Sequence, residues 1–194
     1  MKPTRFETAI ALIDKKNAED VNTYKIADFE YPKELLYSQR MTRKLLQFEP
    51  NASKALQIAA RAQHICRWKI SRKEYPMDRI GYLKWRETLK SMHAEITGEI
   101  LHQVGFDEQF VDRVQKIILK KFLKKNEESQ ALEDTTCLVF LDYYFEDFAT
   151  KHSDEKVIDI LKKTWVKMSK KGHSAVLNLS FSDKNLPLVK QAIS

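Results

Sequence analysis

Glycine and proline are scarce in this sequence, with four glycines and five prolines in 194 residues. A fold of many short strands needs frequent tight turns, which these two residue types supply. Their scarcity argues against such a fold and favours helices. Because 43% of the residues are hydrophobic, the chain can bury one full core, and a single domain over residues 1–194 is predicted.

Long apolar runs are also lacking, since no stretch approaches the roughly 20 apolar residues of a membrane span. The N-terminal sequence MKPTRFETAIALIDKK holds only a short apolar run interrupted by charges. We therefore expect no membrane insertion, no export and a cytoplasmic location. Cys66 and Cys137 are the two cysteines, and their separation matches no zinc site. Reduced thiols in the core are expected at both positions.

The common phosphate-binding and catalytic motifs are missing. There is no glycine-rich phosphate loop and no GxSxG nucleophile elbow, and the aromatic residues do not form the stacking platform of an RNA-recognition strand. Positive charge is in modest excess, with 34 lysines and arginines against 27 acids and a net charge of +7. This excess favours anionic partners, although ordinary solubility explains it equally well. RNA stays open as a partner only through a non-specific basic face.

Apolar residues recur at helical spacing along most of the chain, which predicts an all-α bundle of about seven to nine helices. Residues 23–31 are predicted to form an extended connector, and residues 69–77 a loop. The helix before that loop is expected to run to Trp68, and a later one to include Phe122 in its apolar stripe. Helix starts are predicted at Pro32, at Asn51 or Ser53, at Asp78, at Asp107 and at Ser153.

The helix end RAQHICRW contains the most informative histidine, His64. Arg61 and Arg67 flank it at three residues to either side, which on a helix places all three side chains on one face. Such a face suits a phosphate, with the arginines giving paired hydrogen bonds and the imidazole acting as acid, base or ligand. The alternative is a histidine that packs in the core.

A second polar stripe follows on the next helix, where Arg86, Lys90 and His93 have the spacing i, i+4 and i+7. A solvated helix face explains this stripe as well as a functional one does. No pair of histidines has the spacing of a helical zinc site.

Acidic residues interrupt the most apolar helical segment. Glu133, Asp134 and Asp142 lie there, where a carboxylate without a partner is costly. We expect them either to cap the start of that helix or to meet a cation such as Arg61, Lys121 or a metal ion.

Five long motifs together carry a resemblance over essentially the whole chain. They are YPKELLYSQRM, RAQHICRW, YPMDRIGYLKWR, LEDTTCLVFLDYYF and IDILKKTWVKMSKKGH, in this order. The chain resembles a bacterial and fungal family described as a domain of unknown function. Some members of that family carry a label likening them to glutamyl-tRNA synthetase, but this sequence has none of the synthetase nucleotide-binding motifs.

The order of elements is also distantly similar to that of the HD-domain phosphohydrolases. In that superfamily histidines and aspartates bind a divalent metal, which activates water for attack on a phosphoester. The resemblance implies that His64 matches the histidine of the His-Asp doublet and His93 a later histidine. Asp134 or Asp142 then matches the final aspartate, and His64, His93 and Asp134 become the catalytic residues and the metal ligands, if a metal is bound.

The chain departs from the HD pattern at the metal ligands. Ile65 stands in place of the doublet's aspartate, the region of Tyr37 supplies no first histidine, and Lys121 falls where many members have another histidine. The remaining set predicts binding of a nucleotide or another phosphorylated small molecule, with Arg61, Arg67 and Lys121 as ligand-binding residues and hydrolysis as a further step. The rival hypothesis is a non-catalytic basic adaptor that binds RNA or a protein. The oligomeric state is left open.

Overall fold

A computed structural model describes residues 2–193 and shows an all-α fold apart from one short hairpin. The described residues group into two compact units, one up to Phe122 and one from Leu123 onward. The all-α fold class predicted from the sequence is confirmed. The prediction that residues 1–194 form a single domain stays a prediction.

The first unit contains five α-helices, two strands and two short 3-10 turns, Arg67–Lys69 and Arg72–Glu74. Its elements are α1 (Arg5–Asn17), β1 (Thr23–Ile26), β2 (Phe29–Pro32), α2 (Lys33–Phe48), α3 (Lys54–Ala62), α4 (Arg79–Gln103) and α5 (Glu108–Ile118). The predicted extended connector is a two-stranded antiparallel hairpin, in which Thr23 pairs with Pro32.

The second unit contains the remaining helices of the described chain. They are α6 (Glu127–Tyr143), α7 (Phe145–Ala149), α8 (Asp154–Lys167), α9 (Lys170–Val176) and α10 (Leu186–Ile193). Residues 2–193 thus form ten α-helices, one above the expected range. The additional helix is α7, which is separated from α6 by Tyr144 at φ −129° and ψ −13°.

Helix α3 forms the centre of the first unit because most of its residues are apolar and buried. Six of its nine residues are buried, among them Leu56 and Ile58. Helices α1, α2, α4 and α5 all pack against α3. Cys66 in this unit and Cys137 in the other are buried free thiols, which confirms the prediction for both cysteines.

Side-chain caps fix several helix starts where the sequence predicted them. Ser53 accepts a hydrogen bond from the backbone of Leu56, Asp78 from Gly81 and Asp107 from Phe110. Each cap pairs a backbone N–H that has no partner inside the helix. These local hydrogen bonds therefore set the first residue of α3, α4 and α5.

Two predicted helix ends are wrong. α3 ends at Ala62 instead of continuing to Trp68, since Cys66 adopts a left-handed conformation with φ +56°. α5 ends at Ile118, and Lys120, Phe122 and Lys124 after it also have positive φ. Phe122 is consequently 70% exposed and does not belong to the apolar stripe of α5.

The loop before α4 is held against the start of that helix. The indole N–H of Trp85 donates to the carbonyl of Ile70 at 3.0 Å, and Arg72 donates to the carbonyl of Tyr75 at 3.0 Å. A Cβ atom at Gly81 would collide with the backbone carbonyl of Pro76. Glycine at position 81 therefore permits the close approach of loop and helix.

Replacing Gly81 with alanine is expected to lower the free energy of unfolding by about 1 to 2 kcal/mol, because the collision with Pro76 outweighs the better helix propensity of alanine. Urea denaturation followed by circular dichroism measures the change. Gly98→Ala is the matched control in the same helix, since its obstacle is the flexible side chain of Gln115 and a smaller loss is expected. Equal losses in both variants would contradict the role assigned to Pro76.

Candidate functional site

A small cavity in the first unit is lined by basic and imidazole side chains from three segments. It measures about 30 Å³, room for roughly two or three water-sized groups. Its polar lining includes His64, Arg67, Arg86, Lys90, His93 and Lys120. His64 and Arg67 follow α3, the next three lie on α4, and Lys120 follows α5. Helical spacing on α4 and the two chain reversals after α3 and α5 bring these groups together.

His64 lies between an aromatic ring and a carboxylate. Its ring stacks on Tyr37 with centroids 4.1 Å apart and an interplanar angle of 11°. Its Nδ1 lies 3.3 Å from Oε2 of Glu34, and its Nε2 lies 3.4 Å from Nη1 of Arg67. Burial and, after it, the charge of Arg67 hold the pKa of His64 well below its ordinary value. The imidazole is therefore neutral near pH 7.

His93 is the more deeply buried histidine, with 1% of its surface exposed. Its Nδ1 lies 2.7 Å from the carbonyl oxygen of Ile65. Because a carbonyl only accepts, Nδ1 carries the hydrogen and Nε2 has a lone pair in the neutral ring. This Nε2 is buried without a hydrogen-bond partner in the described part of the chain. Burial, followed by the neighbouring His64, lowers the pKa of His93 to about 3.

Glu34 is a buried acid beside the cavity that the sequence did not predict as a site residue. Its side chain is 7% exposed, and Oε1 lies 3.9 Å from Nε of Arg67. Burial raises the pKa of Glu34 above its ordinary value, while Arg67 and Lys33 oppose the rise. The helix dipole stabilises an acid in the first turn of a helix, so the position of Glu34 in the first turn of α2 gave no sign of another role. No signal in the local sequence distinguished Glu34 from such an acid.

The cationic side chains at the cavity come from segments far apart in sequence. The guanidinium of Arg67 lies over the ring of Trp85, 4.7 Å from its centroid, and Lys90 contacts the exposed Glu87 at 2.5 Å. Arg86 lies 5.9 Å from the ring centroid of Tyr82. The polar stripe of α4 thus lines the cavity through Arg86, Lys90 and His93.

Arg61 does not share a helix face with His64 and Arg67, because α3 ends at Ala62. Its guanidinium instead donates to both carboxylate oxygens of Asp14 at 2.6 Å and to the hydroxyl of Thr42 at 3.2 Å. The helical spacing that suggested a shared face is therefore wrong, although Arg67 contacts His64 through the turn. Lys121, the neighbour of Lys120, is exposed.

Asp134 belongs to the second unit and is 1% exposed. Its Oδ1 accepts from the backbone N–H of Ser169 at 2.8 Å and from the amide of Gln130 at 3.0 Å, and its Oδ2 accepts from the Ser169 hydroxyl at 2.6 Å. It does not cap its own helix, since Asn126 is the N-cap of α6. Asp142 on the same helix is exposed. These contacts account for the burial of Asp134 without a cation.

The residues at the cavity do not suit the divalent metal that the HD resemblance implies. The expected ligands His64 and His93 have ring centroids 5.9 Å apart, and four positive side chains line the same small cavity. A divalent cation is repelled by such surroundings, whereas an oxyanion is attracted. Within residues 2–193 no group of three histidine, cysteine or acidic residues is placed to hold a metal ion.

A protein-family model described as a domain of unknown function (DUF4202) matches residues 7–189 of the chain. No curated protein and no solved structure matches the chain. Among the helices of residues 2–193, none is both long and apolar enough to cross a bilayer.

Proposed function

Because the chain belongs to the DUF4202 family over residues 7–189, the cavity is a feature of a DUF4202 domain, and we propose that it binds the phosphate group of a nucleotide or another phosphorylated small molecule. The observation that carries the proposal is the lining of the cavity. Four cations, Arg67, Arg86, Lys90 and Lys120, accompany two histidines there. Arginine and lysine N–H groups that line a common cavity form the usual donor set for a phosphate.

The size of the cavity supports binding of a phosphate group rather than of a whole nucleotide. A volume of about 30 Å³ holds roughly two or three water-sized groups, which suits a few oxygens of one phosphoryl group. The rest of the ligand would then lie outside the cavity.

The buried acid Glu34 fits the same proposal. It lies near Arg67 and His64 but does not line the cavity. Burial raises its pKa, and its carboxylate faces Arg67 and His64 instead of the cavity, so it lies away from an incoming anion. The balance of charge at the cavity therefore favours an anionic ligand.

Removing one cation from the cavity is expected to weaken phosphate binding about tenfold, since a charge-assisted hydrogen bond contributes roughly 1.5 kcal/mol. Titration calorimetry with inorganic phosphate and adenosine monophosphate would compare Arg86→Met and Lys120→Met with the parent chain. Lys84→Met is the matched control, because Lys84 is an exposed lysine of α4 that does not line the cavity. A parent chain that binds neither probe would refute the proposal.

Hydrolysis of the bound phosphoester is a second step that the HD resemblance suggests. Release of phosphate from nucleoside monophosphates tests turnover separately from binding. The rival role as an RNA-binding adaptor predicts salt-sensitive retention of RNA on filters, which the Arg86 and Lys120 variants alone would not abolish.

A further inference from the structure

The unpaired nitrogen of His93 distinguishes this cavity from a simple cluster of cations. Nε2 is buried and has no hydrogen-bond partner in the described chain, and the bond from Nδ1 to the carbonyl of Ile65 fixes it as an acceptor. A buried acceptor without a donor is costly, and native proteins usually pair such groups. A ligand that brings a donor to this nitrogen removes that cost.

In the positions that the structure gives them, the charged neighbours of His93 do not donate a hydrogen bond to its Nε2. Arg67, Arg86, Lys90 and Lys120 are donors, yet none is hydrogen-bonded to Nε2. Glu34 and His64 contact each other, Tyr37 stacks on His64, and Lys33 is a further charged group near this pair. The cavity therefore offers a ligand several donors and, at Nε2 of His93, a buried acceptor whose position is fixed.

Oxyanions differ in whether they match this pattern. A phosphomonoester in its monoanionic form has oxygens that accept and one P–OH group that donates. Sulfate and phosphodiesters near neutral pH have accepting oxygens alone. A ligand oxygen that carries no hydrogen cannot form a hydrogen bond with Nε2, and the lone pairs of the two atoms repel each other.

From this geometry we infer that the cavity selects a phosphate group that carries a hydroxyl, namely the monoanion of a phosphomonoester or inorganic phosphate, over sulfate and phosphodiesters. The inference rests on the proposed function and names its ligand class. The P–OH group donates to Nε2 of His93, and the unprotonated oxygens accept from Arg86, Lys90 and Lys120. Sites that pair a buried polar group with a ligand hydroxyl discriminate strongly against analogues that lack the hydroxyl.

The experiment compares four probes on the full chain by titration calorimetry at pH 6.5 and constant ionic strength: inorganic phosphate, methyl phosphate, sulfate and dimethyl phosphate. At this pH a monoester is divided between its monoanion and dianion, since its second pKa is about 6. We expect inorganic and methyl phosphate to bind about 100-fold more tightly than sulfate or dimethyl phosphate. This comparison needs no variant, so it holds even where a substitution impairs folding.

Two substitutions at His93 separate the acceptor from the rest of the ring. His93→Asn keeps an amide N–H near the position of Nδ1 and removes the acceptor at Nε2, whereas His93→Gln places an amide oxygen near Nε2. The asparagine variant is expected to lose the preference for phosphate over sulfate to within about fivefold, and the glutamine variant to retain part of it. Lys120→Met is expected to weaken phosphate and sulfate alike.

The outcomes distinguish the two proposals. If phosphate and sulfate bind with equal affinity and Lys120→Met weakens both, the inferred selectivity is overturned. The proposed function, binding of a phosphate group, is then still supported. No binding of any probe would overturn the proposed function itself. A preference for phosphate that survives His93→Asn unchanged would also overturn the inference, because the hydroxyl would then be recognised elsewhere.

Discussion

Replacing Asp134 with alanine is expected to lower the free energy of unfolding by about 3 kcal/mol, a substantial share of the roughly 5 to 15 kcal/mol that keeps a small protein folded. The substitution leaves the N–H and the hydroxyl of Ser169 without their acceptors. Ser169 is the N-cap of α9, and its hydroxyl oxygen accepts from the N–H of Gly172 at 3.1 Å. Loss of Asp134 therefore disturbs both the attachment of α9 to α6 and the start of α9.

Urea denaturation of the full chain, followed by far-UV circular dichroism, measures this effect. Asp183→Ala is the control, because Asp183 is an exposed aspartate of the same unit and a change within about 0.5 kcal/mol is expected. Asp134→Asn keeps one accepting oxygen and should lose about half as much as alanine. An alanine variant of unchanged stability that no longer binds phosphate would instead favour the ligand role that the sequence analysis gave to Asp134.

Acid is expected to destabilise the first unit through its buried histidines, by about 3 kcal/mol between roughly pH 7 and pH 4.5. The pKa of His93 is about 3 in the folded chain against an ordinary 6.5. Over this range the unfolded imidazole binds a proton that the folded one does not. The contribution is therefore fully present above pH 6.5 and is lost as the pH falls towards 3. His64, whose pKa is also lowered, acts in the same direction.

Glu34 partly offsets this dependence. Its pKa is raised above the ordinary 4.5, so the folded carboxyl keeps its proton to higher pH than the unfolded one, and stability falls as the pH rises through that range. Urea unfolding of the parent chain and of His93→Asn at a series of pH values isolates the contribution of His93 to the pH dependence of the free energy of unfolding. A smaller loss in the variant is expected on acidification, and identical profiles would show that His93 does not titrate as assigned.

Features set by neighbouring residues were predictable from the sequence. The caps at Ser53, Asp78 and Asp107 are local hydrogen bonds, and the buried cysteines follow from apolar periodicity. The stripe that brings Arg86 and His93 to the cavity follows from the spacing of α4.

Features set by distant residues were not predictable. The guanidinium of Arg61 binds Asp14, 47 residues earlier, and the carboxylate of Asp134 binds Ser169, 35 residues later. The sequence around Arg61 or Asp134 does not indicate these partners. The end of α3 was missed for another reason, because its left-handed residue is Cys66 and not the glycine that usually marks a helix end.

The turn after α3 has a consequence for how the first unit opens. Asn17 at the end of α1 accepts from the N–H of Cys66 at 3.3 Å, and His93 of α4 donates to the carbonyl of Ile65 at 2.7 Å. Helices α1 and α4 are thus both tied to two consecutive residues of the turn after α3. Opening of this turn breaks both hydrogen bonds together, so we expect the buried His93 to become exposed only when the contacts of α1 and α4 with the turn are lost in the same step.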